Sequence, residues 1–245
     1  MALRTVKPYP LVKSPDEGVL LAQIIWTQAG RSAEVLLESF QVLRKKRGLP
    51  RGRTTDDEQD LLRAMLVMCC AGFDGCMKQL LRDSLPRMLE SDEAVRSKFE
   101  EYLVKELRTD DERGAKSAAK YLAAALASSK PFQYAVEAYI RFLTGDSFQS
   151  PARVCEVAAA LAISKEEIGL DLKRLKQLFD VRNQIIHELD IAIHTTSRLR
   201  VSRGMNDMLD HVDEIMRLGS LFLHAVDKKL KTGGAPIQDA TNARV

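Results

Sequence analysis

Three residues in the second half of the chain could do chemistry together: Arg182, Asn183 and His187, within VRNQIIHELD (181–190). A histidine exchanges protons near neutral pH, and a guanidinium holds an anionic phosphate through two parallel hydrogen bonds. An amide beside them can orient either group. Such a trio suits cleavage of a phosphodiester without a metal ion. Its setting is unusual. Leu172, Leu175, Leu178, Phe179, Ile185, Ile186 and Leu189 recur every three or four residues and predict a buried helical stripe. At about 100° per residue, Arg182 falls near the centre of that stripe. A guanidinium there carries a desolvation cost unless an anion or a carboxylate meets it. An internal acid would satisfy Arg182 as well as a substrate phosphate would, and the residues alone leave both readings open. Asn183 and His187, four apart, share one side of the helix near the edge of the stripe.

Spacing by itself decides little. The chain also holds Arg217 and His224, in RLGSLFLH, with six residues between them. There Leu218 follows the arginine where Asn183 follows Arg182, and no other polar neighbour suits a phosphate. Other chemistries lack their residues: there is no G-x-S-x-G, no Walker loop, no GxGxxG after a strand and no H-E-x-x-H. Cys69, Cys70, Cys76 and Cys155 form no CxxC pair and have no histidine at zinc spacing. Reduced, mostly buried thiols are expected, with no metal and no cofactor. The acidic pairs Asp56/Asp57 and Asp110/Asp111 fall at helix starts or loops, where capping or solvation accounts for them.

The elements that must position the trio read as helix throughout. Residues 1–16 predict an extended arm, since Pro8, Pro10 and Pro15 discourage a helix. A long helix is expected from Glu17 to Lys46, with Val19, Leu20, Ile24, Val35, Leu36 and Phe40 as buried candidates. Thr55-x-x-Glu58 is a capping box that opens a second long helix, striped by Leu62, Leu66, Cys69, Phe73, Met77 and Leu80. Pro86 should bend or end it, and Ser91 is the expected N-cap of the next helix. An alanine-rich helix, a helix from Pro131 and a helix after Ser150-Pro151 follow. Ser164-x-x-Glu167 is expected to introduce the helix that carries the trio. Arg198 to Gly204 reads as connector and Asn206 to Leu230 as the last helix. The expected fold class is all-α, a compact multi-helix bundle: an arm at 1–16, one domain at 17–230 and a tail at 231–245.

With 45% hydrophobic and 29% charged residues, 245 in all, the composition is that of a soluble globular protein. No apolar run approaches the roughly 20 residues of a membrane span, and the start lacks the apolar core of a signal peptide, so a cytoplasmic protein without membrane contact is expected. The net charge of +3 is mild, but basic residues cluster. Arg44, Lys45, Lys46, Arg47, Arg51 and Arg53 form one group; Arg198, Arg200 and Arg203 form another. Either could steer phosphates, and either could be a solvated loop.

VRNQIIHELD resembles the R-N-x-x-x-H signature of the HEPN ribonuclease superfamily. MLVMCCAGFDGCMKQLLRDSLPRML is similar to the earlier long helix of that family, and FLTGDSFQSPARVCEVAAALAI to the segment before the motif in the RiboL-PSP-HEPN branch. The resemblance covers roughly residues 55–230. It implies a HEPN-like bundle and a metal-independent endoribonuclease, commonly the toxin or effector of a prokaryotic defence or toxin–antitoxin system. Arginine and histidine of two protomers would then meet in a composite homodimer site, with His187 as general acid or base, Arg182 on the phosphoryl oxygens and Asn183 orienting. Asp74 is a weaker candidate for positioning Arg182 or His187. The implied partners are RNA, tRNA among the candidates, a second copy of the chain, and an antitoxin or other defence protein. The alternative is a non-catalytic HEPN-like subunit that binds RNA or protein within a larger assembly.

Overall fold

Short-range capping chemistry sets most helix boundaries in the computed structural model, which describes residues 4–48, 54–108, 112–192 and 199–233. Among the described residues there are eight helices: α1 (Glu17–Lys46), α2 (Asp56–Ser91), α3 (Glu93–Leu107), α4 (Glu112–Ala127), α5 (Pro131–Thr144), α6 (Pro151–Ala160), α7 (Leu172–Glu188) and α8 (Met205–Gly233). The Thr55 side chain accepts from the Glu58 N–H while Glu58 reaches back to the Thr55 N–H, completing the capping box of α2. Ser150 caps α6 ahead of Pro151. The protein is all-α. Among the described residues the sheet content is one isolated antiparallel bridge, Ile191 with Arg200.

Three boundaries differ from expectation. Pro86 does not end α2, which continues to Ser91, because Leu85, Met88 and Leu89 on both sides of it are buried in the core. Their packing outweighs a proline cost of about 3 kcal/mol. Asp92, not Ser91, caps α3; its carboxylate accepts from the N–H groups of Ala94 and Val95. Ser164 does accept from the Glu167 N–H, but only a turn follows, and α7 begins after Asp171, which accepts from Lys173 and Arg174.

α1 runs antiparallel to both α2 and α8. Ala29 faces Gly72, and Trp26 faces Gly219 so closely that a β-carbon there would lie 2.5 Å from the indole. Small residues therefore set the buried face of α1, which is Ala22, Trp26, Ala29, Ala33 and Leu37, flanked by Val19 and Phe40. Leu20, Ile24 and Val35, expected inside, are exposed. The close approach is made by a small residue on one side of each contact, Ala29 against Gly72 and Gly219 against Trp26. Trp26, Phe73 and Phe222 meet edge to face at 6.1 and 6.4 Å, joining the three long helices. α2 is the one described helix long and apolar enough to resemble a membrane span, and here it is the central core helix, packed by α1, α3, α5, α7 and α8. Residues from Val6 to Leu230 share one apolar core.

Candidate functional site

α7 packs antiparallel against α2. Arg63 of α2 bonds Asp190, just beyond the end of α7, while Cys70 two turns later feels the charge of Arg182. Leu175, Leu178, Phe179 and Ile185 are buried, as the stripe predicts, whereas Leu172, Ile186 and Leu189 are exposed. Arg182 lies within the buried side of this helix and is itself half-buried.

Its partners are few. Nη1 donates to Asn183 Oδ1 at 2.9 Å, and Nε is buried with no hydrogen-bond partner. Among the described residues no carboxylate lies within ion-pair distance of Arg182. Burial pushes the Cys70 thiol up to about 12, with the Arg182 guanidinium pulling the other way. An arginine in this state is one anion short of satisfaction.

His187 is exposed on the last turn of α7. The helix is unbroken from Leu172 to Glu188, so five residues separate Arg182 and His187 by about 140° around the axis. Asn183 lies about 40° from His187 and next to Arg182. One chain thus places the arginine toward α2 and the imidazole toward solvent. No break in the helix brings them onto one side.

Asp74 bonds other groups. It accepts from the Phe148 N–H at 2.8 Å and pairs with Lys78 at 2.8 Å, pinning the loop between α5 and α6 to α2. Several of the basic residues expected to steer phosphates also have carboxylate partners. Arg44 and Arg47 both approach the buried Glu58, at 3.6 and 3.0 Å, so they neutralise the capping box of α2. Arg200 grips Asp60 with two nitrogens, at 2.6 and 3.1 Å. Arg203 binds Asp190 and Gln184. Lys45 and Lys46 are exposed. Arg51, Arg53, Arg198, His194 and the pair Asp110/Asp111 lie outside the described residues. His211 lines an open cavity of about 450 Å³ between α7 and α8, with Arg174, Gln177, Asp207, Asp210 and Glu214 around it. Among the described residues, no group of three or more His, Cys, Asp or Glu side chains could hold a metal ion.

A feature that spacing does not reveal stands beside the trio. Asp190 is 0% exposed, and its carboxylate meets Arg63, 3% exposed, and Arg203. Burial pushes this carboxyl up, and hydrogen bonds from Arg203 and Arg63 more than reverse that, leaving it below the ordinary carboxylate range.

A family model described as RiboL-PSP-HEPN matches residues 34–222, which takes in α2, Arg182 and the histidine at the end of α7. The chain belongs to the RiboL-PSP-HEPN family. It therefore carries a HEPN-type domain, a class that is often a ribonuclease. No curated protein and no solved structure matches it.

Proposed function

We propose that this RiboL-PSP-HEPN chain is a metal-independent endoribonuclease that works as a homodimer in the cytoplasm, as the toxin or effector of a prokaryotic defence or toxin–antitoxin system. The observation that carries the reading is Arg182: half-buried and, among the described residues, bonded only to Asn183, with a buried Nε that has no hydrogen-bond partner and no acid within ion-pair distance. A protein that needed this arginine for its own packing would supply a carboxylate, as this one does for Arg63 and Arg203.

The 2′-hydroxyl of a ribose attacks the adjacent phosphorus. A P–O2′ bond forms and the P–O5′ bond breaks, giving a 2′,3′-cyclic phosphate and a 5′-hydroxyl. The proton of the 2′-OH passes to a general base, and O5′ receives one from a general acid. His187 supplies this proton transfer, an effect of roughly 10²- to 10⁴-fold. Arg182 meets the charge that builds on the non-bridging oxygens, and Asn183 orients it. DNA lacks the 2′-OH and is not a substrate by this route. The divergence of Arg182 and His187 within one helix supports a composite site in which one protomer's arginine faces its partner's histidine. Ile186, Leu189 and Leu199, exposed around the motif, are apolar surface for that contact.

The test is cleavage of total RNA and of tRNA in EDTA by wild type and by His187→Ala, both shown to be equally folded and equally dimeric. Cleavage by wild type alone, leaving cyclic phosphate ends, is the expected result. Equal cleavage by both sinks the assignment. Cleavage by neither, with RNA retained in a binding assay, favours a non-catalytic RNA-binding subunit.

A further inference from the structure

Where α7 stops, the backbone takes a course that side chains disfavour. Leu189 and Asp190 have φ of 48° and 60°, consecutive left-handed residues of which neither is glycine. The Asp190 carboxylate lies at the centre of what holds them there. It accepts from Arg63 Nε at 2.8 Å and from Arg203 Nε at 3.0 Å. Arg63 also donates to Asp60 at 2.9 Å and to the Val201 carbonyl at 2.8 Å. Arg203 also donates to Gln184 Oε1 at 2.8 Å, and its N–H donates to Gln59 Oε1 at 2.6 Å. Main-chain bonds close the figure: Asp190 N–H to the Gln184 carbonyl at 3.1 Å and Val201 N–H to the Asp190 carbonyl at 2.7 Å.

Three separate segments meet at this one carboxylate: the first turns of α2, the end of α7 and the connector into α8. His187 sits midway between two of the anchor points, Gln184 and Asp190, and is itself exposed. A buried ion pair adds little net stability over apolar packing, and its best-attested use is to select one conformation. The conformation selected here is the stop of the motif helix, whose last residue, Glu188, directly follows the histidine.

We propose that Asp190 is a positioning residue for His187: gripped by Arg63 and Arg203, it fixes where the last turn of α7 ends and so the direction in which the imidazole leaves the helix. Its consequence for activity rests on RNA cleavage as proposed above; its consequence for the backbone does not.

The isosteric variant Asp190→Asn tests this, with Gln184→Ala as a milder second variant that removes only the Arg203 link from the α7 side. Both are compared with wild type in RNA cleavage and in amide hydrogen exchange. In Asp190→Asn, kcat should fall about tenfold or more while KM stays within about twofold, because misplacement harms chemistry more than binding. Exchange protection should drop at the amides of Asp190, Ile191 and Val201, with the α1 and α8 core amides still protected. Gln184→Ala should give the same pattern in smaller measure, and it carries the test alone if Asp190→Asn does not fold. Unchanged protection at those amides overturns the proposal, as does lowered melting temperature with kcat per folded molecule intact. If wild type cleaves no RNA, the cleavage reading fails and the His187 ring resonances decide: movement in Asp190→Asn upholds the positioning role, and unmoved resonances overturn it.

Discussion

Arg217 and His224 in α8 repeat the residue types of Arg182 and His187 in α7 at nearly the same spacing, in opposite surroundings. Arg217 donates to Glu214 at 2.6 Å and to the carbonyls of Ile168 and Gly169 at 3.0 and 2.9 Å. His224 Nδ1 donates to the Ser220 carbonyl at 2.9 Å. Arg217 therefore ties the loop ahead of α7 to α8, and His224 ties its own helix together. Among the described residues Arg182 reaches only the amide next to it, and His187 is exposed. A motif of this kind is distinguished less by its letters than by whether its arginine has been left without an internal acid.

The largest expected effect separates the two histidines. His187→Ala should lower RNA cleavage by roughly 10²- to 10⁴-fold, whereas His224→Ala should leave the rate per folded molecule within about twofold, both read in single-turnover assays. The arginines come next. Arg182→Ala should lower cleavage by roughly 10²- to 10³-fold with little change in urea midpoint. Arg217→Ala should do the reverse, losing about 1–2 kcal/mol of stability as two loop carbonyls lose their donor, with activity retained. If Arg182→Ala instead unfolds the chain and Arg217→Ala abolishes cleavage, the contrast has been drawn the wrong way round.

Acid should then expose arginines that do have carboxylates. Asp190 is held below its ordinary value of 3.8, so its contribution to stability is complete above that pH and is lost as the pH falls from there toward its folded value. Denaturant unfolding across this range should show a slope that Asp190→Asn reduces and Arg182→Ala does not. The smallest effect belongs to His211. Burial, and then the charge of Arg203, lower its pKa from 6.5, so the folded state favours the neutral ring. Stability should be full above pH 6.5 and decline below it, and His211→Gln should flatten that decline.

Elements governed by neighbours in sequence were legible before the fold was known. The capping box at Thr55 and Glu58 and the Ser150-Pro151 start are contacts within a turn, the Pro131 start rests on the fixed φ of its ring, and each stands where expected. Pro86, expected to bend or end α2, does not end it, because tertiary packing of Leu85, Met88 and Leu89 overrode a local preference. The expected face of α1 held at Val19 and Phe40 and failed at Leu20, Ile24 and Val35, because Gly72 on α2 brings Ala29, and Gly219 on α8 brings Trp26, to the contact. Arg182 was legible as an arginine on an apolar face. That it lacks an acid among the described residues was not, since the answer depends on what α2 brings opposite it. Asp190 carried no usable signal, because its partner Arg63 is 127 residues away.

The close seat of Trp26 has an optical consequence. It is the single tryptophan of the chain, 1% exposed, packed between Gly219 and Phe73 far inside the α1–α2–α8 contact. Its intrinsic emission therefore comes from one dry site in the core, with no second indole to average over. A red shift on unfolding would report that core separating from water's exclusion to water's access. The same emission should stay constant when a substitution at Arg182 or His187 silences the motif without loosening the bundle.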